Sequence, residues 1–172
     1  MDAVAAADLT RGFLSSARVF AQAVRDVFEA AVLREVAGDK LTFPQLKLLY
    51  LVAHTDAITI GDAAAFLGVS SPAASKTVEK LVRRRLLRRS DIQGDRRTSQ
   101  LALTETSRRL LETYEAARNY QAAKVFSQFS AEELRHTSEV LDRLAAGIVS
   151  GQADGKAACM QCEIYFRKPC RF

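Results

Sequence analysis

The chain has 172 residues, of which 48% are hydrophobic, and it carries a formal net charge of +5. This length suits a single domain with a sizeable core, and the sequence contains no apolar run of about 18 residues that could form a membrane-spanning helix. The first ten residues are mostly small or acidic and lack the basic segment of a secretory signal. We therefore expect a soluble, cytoplasmic protein without a membrane partner.

The first long segment predicts an amphipathic helix from about Asp8 to Val36. Its apolar residues recur at alternating spacings of four and three, which places them on one face of a helix. They are Phe13, Ala17, Phe20, Val24, Val27 and Ala31. Thr42 then predicts the N-cap of a second helix, which carries Leu46 and Leu49.

Residues 58–104 predict a short strand, a short helix, a tight turn, a longer helix and then two arginine-rich strands. Gly68 favours a left-handed end for the short helix. We expect Ser70 or Ser71 to cap the longer helix through a side-chain oxygen, with Pro72 in its first turn. The two strands are joined by residues 92–97. This order of elements is a helix-turn-helix followed by a β-hairpin wing, which is typical of DNA-binding proteins.

The basic charge of the chain is concentrated in this segment. Residues 71–97 contain nine basic and three acidic side chains, so their surplus of six positive charges exceeds the +5 of the whole chain. Clustered cations neutralise phosphates, and the segment therefore favours a nucleic-acid interface over a solvated helix face. The expected DNA-binding residues are Ser70, Ser71, Ala74, Ser75, Lys76, Thr77, Lys80, Arg83, Arg96 and Arg97.

Two further long helices are predicted after the wing, one from Thr104 to about Gln128 and one that begins with a capping box at Ser130 and Glu133. The last helix carries an apolar stripe of Leu134, Leu141, Leu144 and Ile148. Long helices from both ends of the chain predict a homodimer that binds a pseudo-palindromic site on double-stranded DNA. The alternative is that these helices pack only on the winged helix-turn-helix of the same chain, here called the reader. The predicted organisation is a helical dimerisation region at 1–41 and 104–150, a winged helix-turn-helix at 42–103, and a tail at 151–172.

The segments LTFPQLKLLYLVAHT, SPAASKTVEKLVRRRLL and DRRTSQLALTETSRRLL resemble the MarR family of winged-helix regulators over roughly residues 8–150. The resemblance implies a mainly α fold with a small β-wing, a homodimeric repressor or activator, and a small-molecule effector crevice between the dimer helices and the reader. It also implies that Asp95 steadies the wing and that Arg97 enters the minor groove.

Two residues depart from the family pattern. Arg85 stands where the family usually has glycine, so we expect this helix end to lack a left-handed cap. Ser107 replaces a glycine that usually follows the wing. Neither residue is at a DNA-contact position.

The tail contains all three cysteines of the chain, Cys159, Cys162 and Cys170, after a glycine-containing linker. A CxxC spacing in a cytoplasmic protein indicates metal or redox chemistry more than a structural disulfide. An iron–sulfur cluster is our first interpretation because thiolates are its ligands. The alternatives are zinc with a fourth ligand such as His54, His136 or Glu163, a metal-free thiol switch, and an inert tail with the effector in the crevice.

Other classes of protein find little support in the sequence. The two histidines have no nucleophile motif beside them, and no glycine-rich phosphate loop occurs, so we do not expect an enzyme. A winged helix that binds only proteins is the other alternative, but the arginines of the wing favour DNA. We therefore predict a DNA-binding transcriptional regulator, with repression as the first expectation.

Overall fold

The computed structural model describes residues 3–55, 58–92 and 95–150, with side chains described at 7–55, 58–89 and 100–148. Within these ranges the chain forms seven α-helices and a two-stranded antiparallel sheet. The elements are α1 Ala3–Gln22, α2 Ala30–Ala37, α3 Phe43–His54, α4 Ile60–Leu67, α5 Ser71–Arg83, β1 Leu87–Ile92, β2 Asp95–Leu103, α6 Glu105–Phe126 and α7 Ala131–Ser150. The predicted fold class, mainly α with a small β-wing, is confirmed.

The first predicted helix is longer than expected and is interrupted. A π-helical segment, Ala23–Glu29, connects α1 to α2. Because π-helical hydrogen bonds span one more residue than α-helical ones, the segment rotates the faces of the two helices relative to each other. Of the residues predicted on the apolar face, Val27 and Ala31 are exposed like Phe13 and Phe20, while the buried residues of α2 are Val32 and Leu33.

The core is centred on α3, the most buried helix. Its residues from Leu46 to Val52 are buried, except Lys47, which is half-buried. Residues from α2, α5, both strands and α6 complete the same cluster: Val32, Leu33, Val78, Leu81, Leu87, Leu101, Leu103, Leu111 and Tyr114. The helix α3 thus connects the helix-turn-helix and wing to the long helices, and its orientation determines how the two parts are arranged.

Reciprocal side-chain caps begin three of the helices at the predicted residues. The backbone N–H of Thr42 donates to Gln45 Oε1 at 3.2 Å, and that of Ser130 donates to Glu133 Oε2 at 2.8 Å. Thr104 and Ser107 form the third capping box, at the start of α6. Each cap satisfies N–H groups that have no partner within the helix.

The two terminal helices expose apolar side chains. Along α1, Leu9, Phe13 and Phe20 are 67%, 42% and 49% exposed. On α7, the predicted stripe of Leu134, Leu141, Leu144 and Ile148 is exposed as well. No helix in the described part of the chain is both long and apolar enough to cross a membrane.

Candidate nucleic-acid interface

The turn between α4 and α5 is fixed by hydrogen bonds close in sequence. Thr59 and Asp62 form a capping box at the start of α4, with the Thr59 N–H donating to Asp62 Oδ2 at 2.9 Å. Gly68 ends this helix in the predicted left-handed conformation, at φ 64° and ψ 34°. The N–H of Val69 then donates to the Ala64 carbonyl at 3.1 Å, which closes the helix end. The chain is thereby turned directly into α5.

The start of α5 differs in one respect from the prediction. Ser70 is the N-cap and Pro72 lies in the first turn, as expected. The side chain of Ser70, however, makes no capping hydrogen bond, so the expectation that a serine oxygen caps this helix is wrong. The Ser70 carbonyl accepts the first helical bond, from Ala74 N at 2.9 Å. The Ser70 hydroxyl is therefore not required for the cap.

One face of α5 packs into the core and the other is open to solvent. Ala74, Val78 and Leu81, at spacings of four and three residues, are all 0% exposed. The side chain of Ala74 therefore faces the core, and we correct the prediction that it contacts DNA. The same spacing could have identified Ala74 as a core residue, because it continues the stripe of Val78 and Leu81.

The opposite face of α5 carries the predicted polar and basic residues. Ser71, Lys76, Lys80 and Arg83 are exposed, and no carboxylate in the described part of the chain pairs with any of the three cations. Ser75 and Thr77 are half-buried. The Thr77 hydroxyl donates to the carbonyl of Ala73 at 3.1 Å, so it is partly engaged within the helix. The exposed cations can therefore approach phosphates without breaking an ion pair.

The end of α5 is left-handed even though it lacks glycine. Arg85 adopts φ 57°, and the N–H of Leu86 donates to the Leu81 carbonyl at 2.9 Å. The expectation that arginine at this position removes the left-handed cap is therefore wrong. The neighbouring Arg84 donates its guanidinium to the carbonyl of Lys40, in the turn between α2 and α3. Arg84 thus connects the end of α5 to the rest of the fold.

The wing follows α5 directly, and the base of the wing is attached to the segment before α4. Strands β1 and β2 pair antiparallel, with Leu87 opposite Leu103 and Arg89 opposite Leu101. The Leu101 N–H donates to the Ile58 carbonyl at 2.8 Å, which forms the short strand pairing predicted before α4. Arg88 and Arg89 are exposed, and Arg89 borders a groove between α5 and the wing that is also lined by Glu79, Val82 and Arg83. The basic face of α5 thus continues onto the base of the wing.

The tip of the wing is described for its backbone only. Asp95, Arg96 and Arg97 begin β2, and Asp95 pairs with Ile92 after a shift in register. Their side chains lie outside the described residues. The roles predicted for Asp95 and Arg97 therefore stay predictions.

The predicted cysteine site, at Cys159, Cys162 and Cys170, also lies outside the described residues, as does Glu163. The two histidines considered as zinc ligands are separate: His54 ends α3, with Nδ1 2.9 Å from the Tyr50 carbonyl, and His136 is exposed on α7. Among the described residues no group of three histidine, cysteine or acidic side chains could hold a metal ion.

A cleft of about 670 Å³ lies between α3, β2 and α6. Its walls combine apolar residues with Gln100, Arg108 and Glu112, while Tyr50 and Glu115 border it together. The Tyr50 hydroxyl donates to Glu115 Oε1, and Arg118 Nη2 lies 2.6 Å from Glu115 Oε2. Burial and the hydrogen bond to Glu115 raise the pKa of Tyr50 far above its ordinary value, so this hydroxyl stays protonated and donates. The pattern of the sequence did not single out this three-residue link.

These features define a class: a winged helix-turn-helix with a basic outer face, with long helices before and after it in the chain. Residues 39–98 match the model of the MarR family, and the described chain has a winged-helix fold like that of solved MarR-type structures. The match begins just before α3 and ends within the wing.

Solved structures share this fold over most of their length. RV1404 from Mycobacterium tuberculosis has a TM-score of 0.68 and 22% identity, covering 91% of this chain and 99% of that one. A MarR family protein from Bacillus stearothermophilus has a TM-score of 0.66 and 20% identity, covering 86% and 98%. MepR, a transcription regulator of the Staphylococcus aureus multidrug efflux pump MepA, has a TM-score of 0.59 and 23% identity, covering 75% and 96%.

Proposed function

We propose that this protein is a transcriptional regulator that binds pseudo-palindromic operators in double-stranded DNA as a homodimer in the cytoplasm. The observation that carries the proposal is the division of α5 into a fully buried face at Ala74, Val78 and Leu81 and an exposed basic face at Lys76, Lys80 and Arg83. A helix anchored in this way can enter the major groove without losing its packing on the core. The match of residues 39–98 to the MarR family model supports a regulatory role rather than a catalytic one.

The proposed contacts differ in kind along the interface. The proposed base contacts lie at the N-cap and on the first half of α5, where small side chains let the helix approach base edges. They are Ser70, Ser71, Ser75, Lys76 and Thr77. Lys80 and Arg83 lie further along the helix and favour phosphates. On the wing, Arg96 and Arg97 are proposed to contact the minor groove and its phosphates, with Asp95 steadying the tip.

The dimer is proposed from the terminal helices. Exposed apolar side chains on α1 and α7, such as Phe13, Phe20 and Ile148, are costly to leave in water, and a second copy of the chain would cover them. Two copies related by a twofold axis would also present two α5 helices to successive major grooves, about 34 Å apart. Regions 1–41 and 104–150 are therefore proposed as the dimerisation part, and 42–103 as the reader.

A salt titration of binding to duplex DNA tests this function. If each of two copies neutralises about five phosphates, the logarithm of the affinity should fall against the logarithm of salt concentration with a slope near −9. Lys80→Ala should make the slope shallower by about two in the dimer, one contact for each copy. Arg11→Ala is the control, because Arg11 is an exposed cation on α1, outside residues 42–103, and pairs with Asp8. A slope near zero would contradict DNA binding and favour a winged helix that binds proteins.

The roles within the interface are separated by two further variants. Arg97→Ala should weaken binding at fixed salt, most strongly where the flanking sequence is A·T-rich and the minor groove is narrow. Substitution of Ser75 or Lys76 should alter sequence preference by about 1–3 kcal/mol for each lost base contact. Unchanged affinity in the Arg97 variant would show that the minor-groove role is wrong.

We propose the cysteine tail as the sensor that modulates DNA affinity, with an iron–sulfur cluster as the first candidate. The support is chemical: Cys159, Cys162 and Cys170 lie within twelve positions and have basic neighbours that favour thiolates. The tail follows α7 directly, so a change of state there can reach the dimer helices. Coupling of about 1–3 kcal/mol would alter the affinity for DNA by roughly five- to hundredfold.

Protein purified without oxygen tests the sensor. Its absorption spectrum, together with iron, sulfide and zinc assays, distinguishes a cluster from zinc and from free thiols. Alanine variants of the three cysteines should lose the metal and the response of DNA binding to oxidant. If all three variants keep both properties, the tail is not the sensor.

The cleft between α3, β2 and α6 supports the alternative, a small-molecule effector. At about 670 Å³ it falls within the usual range of ligand pockets, and its lining mixes apolar residues with Arg108, Glu112 and Gln100. A phenolic compound that lowers DNA affinity of both the parent and the cysteine variants would favour the cleft over the tail. An effect that requires the cysteines would favour the tail.

A further inference from the structure

We infer that Tyr50, Glu115 and Arg118 are positioning residues that fix the angle between the reader and the long helix α6, and thereby determine which half-site spacing the protein accepts. This inference rests on the proposed binding of DNA by a dimer, but the link itself is a feature of one chain. Tyr50 belongs to α3, and both charged residues belong to α6. The polar link thus joins the reader directly to the proposed dimerisation part.

Hydrogen bonds to both oxygens of Glu115 fix the orientation of its carboxylate. The Tyr50 hydroxyl donates to one oxygen of Glu115, and the guanidinium of Arg118 contacts the other oxygen at 2.6 Å. Both carboxylate oxygens are therefore engaged by separate donors, and the carboxylate is held in one orientation. The side chains of Arg118 and Glu115 are 27% and 33% exposed, so the ion pair is partly shielded from water.

The ring of Tyr50 is fixed as firmly as its hydroxyl. Tyr50 is 5% exposed, and its ring meets that of Tyr114 edge-on at a centroid distance of 6.3 Å. It also stacks with the ring of His54, at a centroid distance of 6.1 Å. Tyr114 lies on α6 next to Glu115, so a rotation between α3 and α6 must alter both this ring contact and the hydrogen bond.

The size of the effect follows from the length of the recognition helix. With 13 residues, α5 is about 20 Å long. A rotation of roughly 10° over such a length moves the helix end by about 3.5 Å, which is close to the rise of one base pair. A rotation of this size between α3 and α6 is thus enough for the two readers of a dimer to bind half-sites whose spacing differs by one base pair. A rigid link should restrict the protein to one spacing.

The neighbouring cleft places this link where it can be disturbed. Tyr50 and Glu115 both border the cleft, so a molecule that fills it lies against the hydrogen bond. The role of the link in spacing does not require a ligand.

Binding to duplexes whose half-sites are one base pair closer, at the parental spacing, or one base pair further apart tests the inference. The parent should prefer one spacing by about tenfold or more, and Tyr50→Phe should reduce this preference to roughly threefold or less. Glu115→Gln, which removes the charge and the ion pair with Arg118, should act in the same direction. Tyr120→Phe is the matched control, because it removes the same hydroxyl group from a tyrosine that lies on α6 with Glu115 and is 61% exposed. An unchanged preference in Tyr50→Phe would overturn the inference.

A measurement without DNA separates this inference from the proposed function. Spin labels carried by unnatural amino acids at Glu79 on α5 and Ala123 on α6 report the angle within one chain, in labelled protein diluted with unlabelled protein. The distance distribution should broaden in Tyr50→Phe and Glu115→Gln and stay narrow in Tyr120→Phe. If the parent binds no DNA but this broadening occurs, the proposed function fails while the link stands. Identical distributions in all four proteins would overturn the link whatever the protein binds.

Discussion

The hydroxyl of Thr104 donates to the carbonyl of Arg85 at 2.7 Å and accepts from the N–H of Ser107 at 3.2 Å. One side chain thus joins the left-handed residue that ends α5 to the capping box that begins α6. Ser107, which stands where the MarR family usually has glycine, is fully buried. Its hydroxyl completes the capping box by accepting from the Thr104 N–H at 3.0 Å. The end of the recognition helix and the start of the long helix are therefore fixed to each other.

Replacing Thr104 with valine should lower the free energy of unfolding by about 1–2 kcal/mol, because the N-cap and the bond to Arg85 are lost together while the shape is kept. The midpoint of urea denaturation measures this change. Thr113→Val is the control: Thr113 is exposed on α6 and donates only to the Arg109 carbonyl one turn earlier. The control should change stability by no more than about 0.5 kcal/mol. Equal effects in the two variants would contradict the special role of Thr104.

Arg85→Gly should raise the free energy of unfolding by up to about 1 kcal/mol, because glycine adopts a positive φ without the clash of a Cβ atom. Arg83→Gly removes the same charge from within α5 and should instead lower stability by about 1 kcal/mol. Urea denaturation of the pair therefore separates backbone strain from charge. Destabilisation by Arg85→Gly would show that the arginine side chain stabilises this turn in another way.

Two neighbouring alanines should respond in opposite ways to enlargement. Ala74→Leu places extra volume in a fully buried site and should lower the free energy of unfolding by about 1–3 kcal/mol. Ala73→Leu lies on the exposed side of α5, so the fold should be retained while DNA affinity falls, because the helix no longer fits the groove closely. Thermal denaturation and a DNA-binding assay on each variant measure both effects. Retained DNA affinity in a folded Ala73→Leu protein would argue against insertion of this part of α5 into the major groove.

The start of α7 should depend on pH through Glu133. Hydrogen bonds from the hydroxyl and backbone N–H of Ser130 lower the pKa of Glu133 below its ordinary value of 4.5. A lowered pKa in the folded state means that the capping contribution is present above the unfolded pKa and is lost as pH falls through the folded one. Ser130→Ala should raise this pKa toward 4.5, as measured by NMR titration of the carboxyl group. Ser127→Ala is the control, because its hydroxyl donates to the Lys124 carbonyl; an equal shift there would contradict this cause.

Features that depend on neighbours within one helical turn could be predicted from the sequence. The caps at Thr42 and Ser130, the left-handed end at Gly68 and the inward stripe of Val78 and Leu81 are of this kind. Their partners are three or four residues away, so their geometry is set by the helix itself. The order of a helix-turn-helix and a wing followed from these local features, and with it the resemblance to the MarR family, whose model matches residues 39–98.

The tertiary structure alone determined the features that join distant residues. Tyr50 and Glu115 are 65 positions apart, and Arg84 and Lys40 are 44 apart, so no spacing in the sequence relates them. Arg85 adopts a conformation that its own side chain disfavours, in a turn where the Thr104 hydroxyl holds its carbonyl and Leu86 bonds back to Leu81. Packing against a second element decides such cases, because contacts across the fold outweigh a local preference of about 1 kcal/mol.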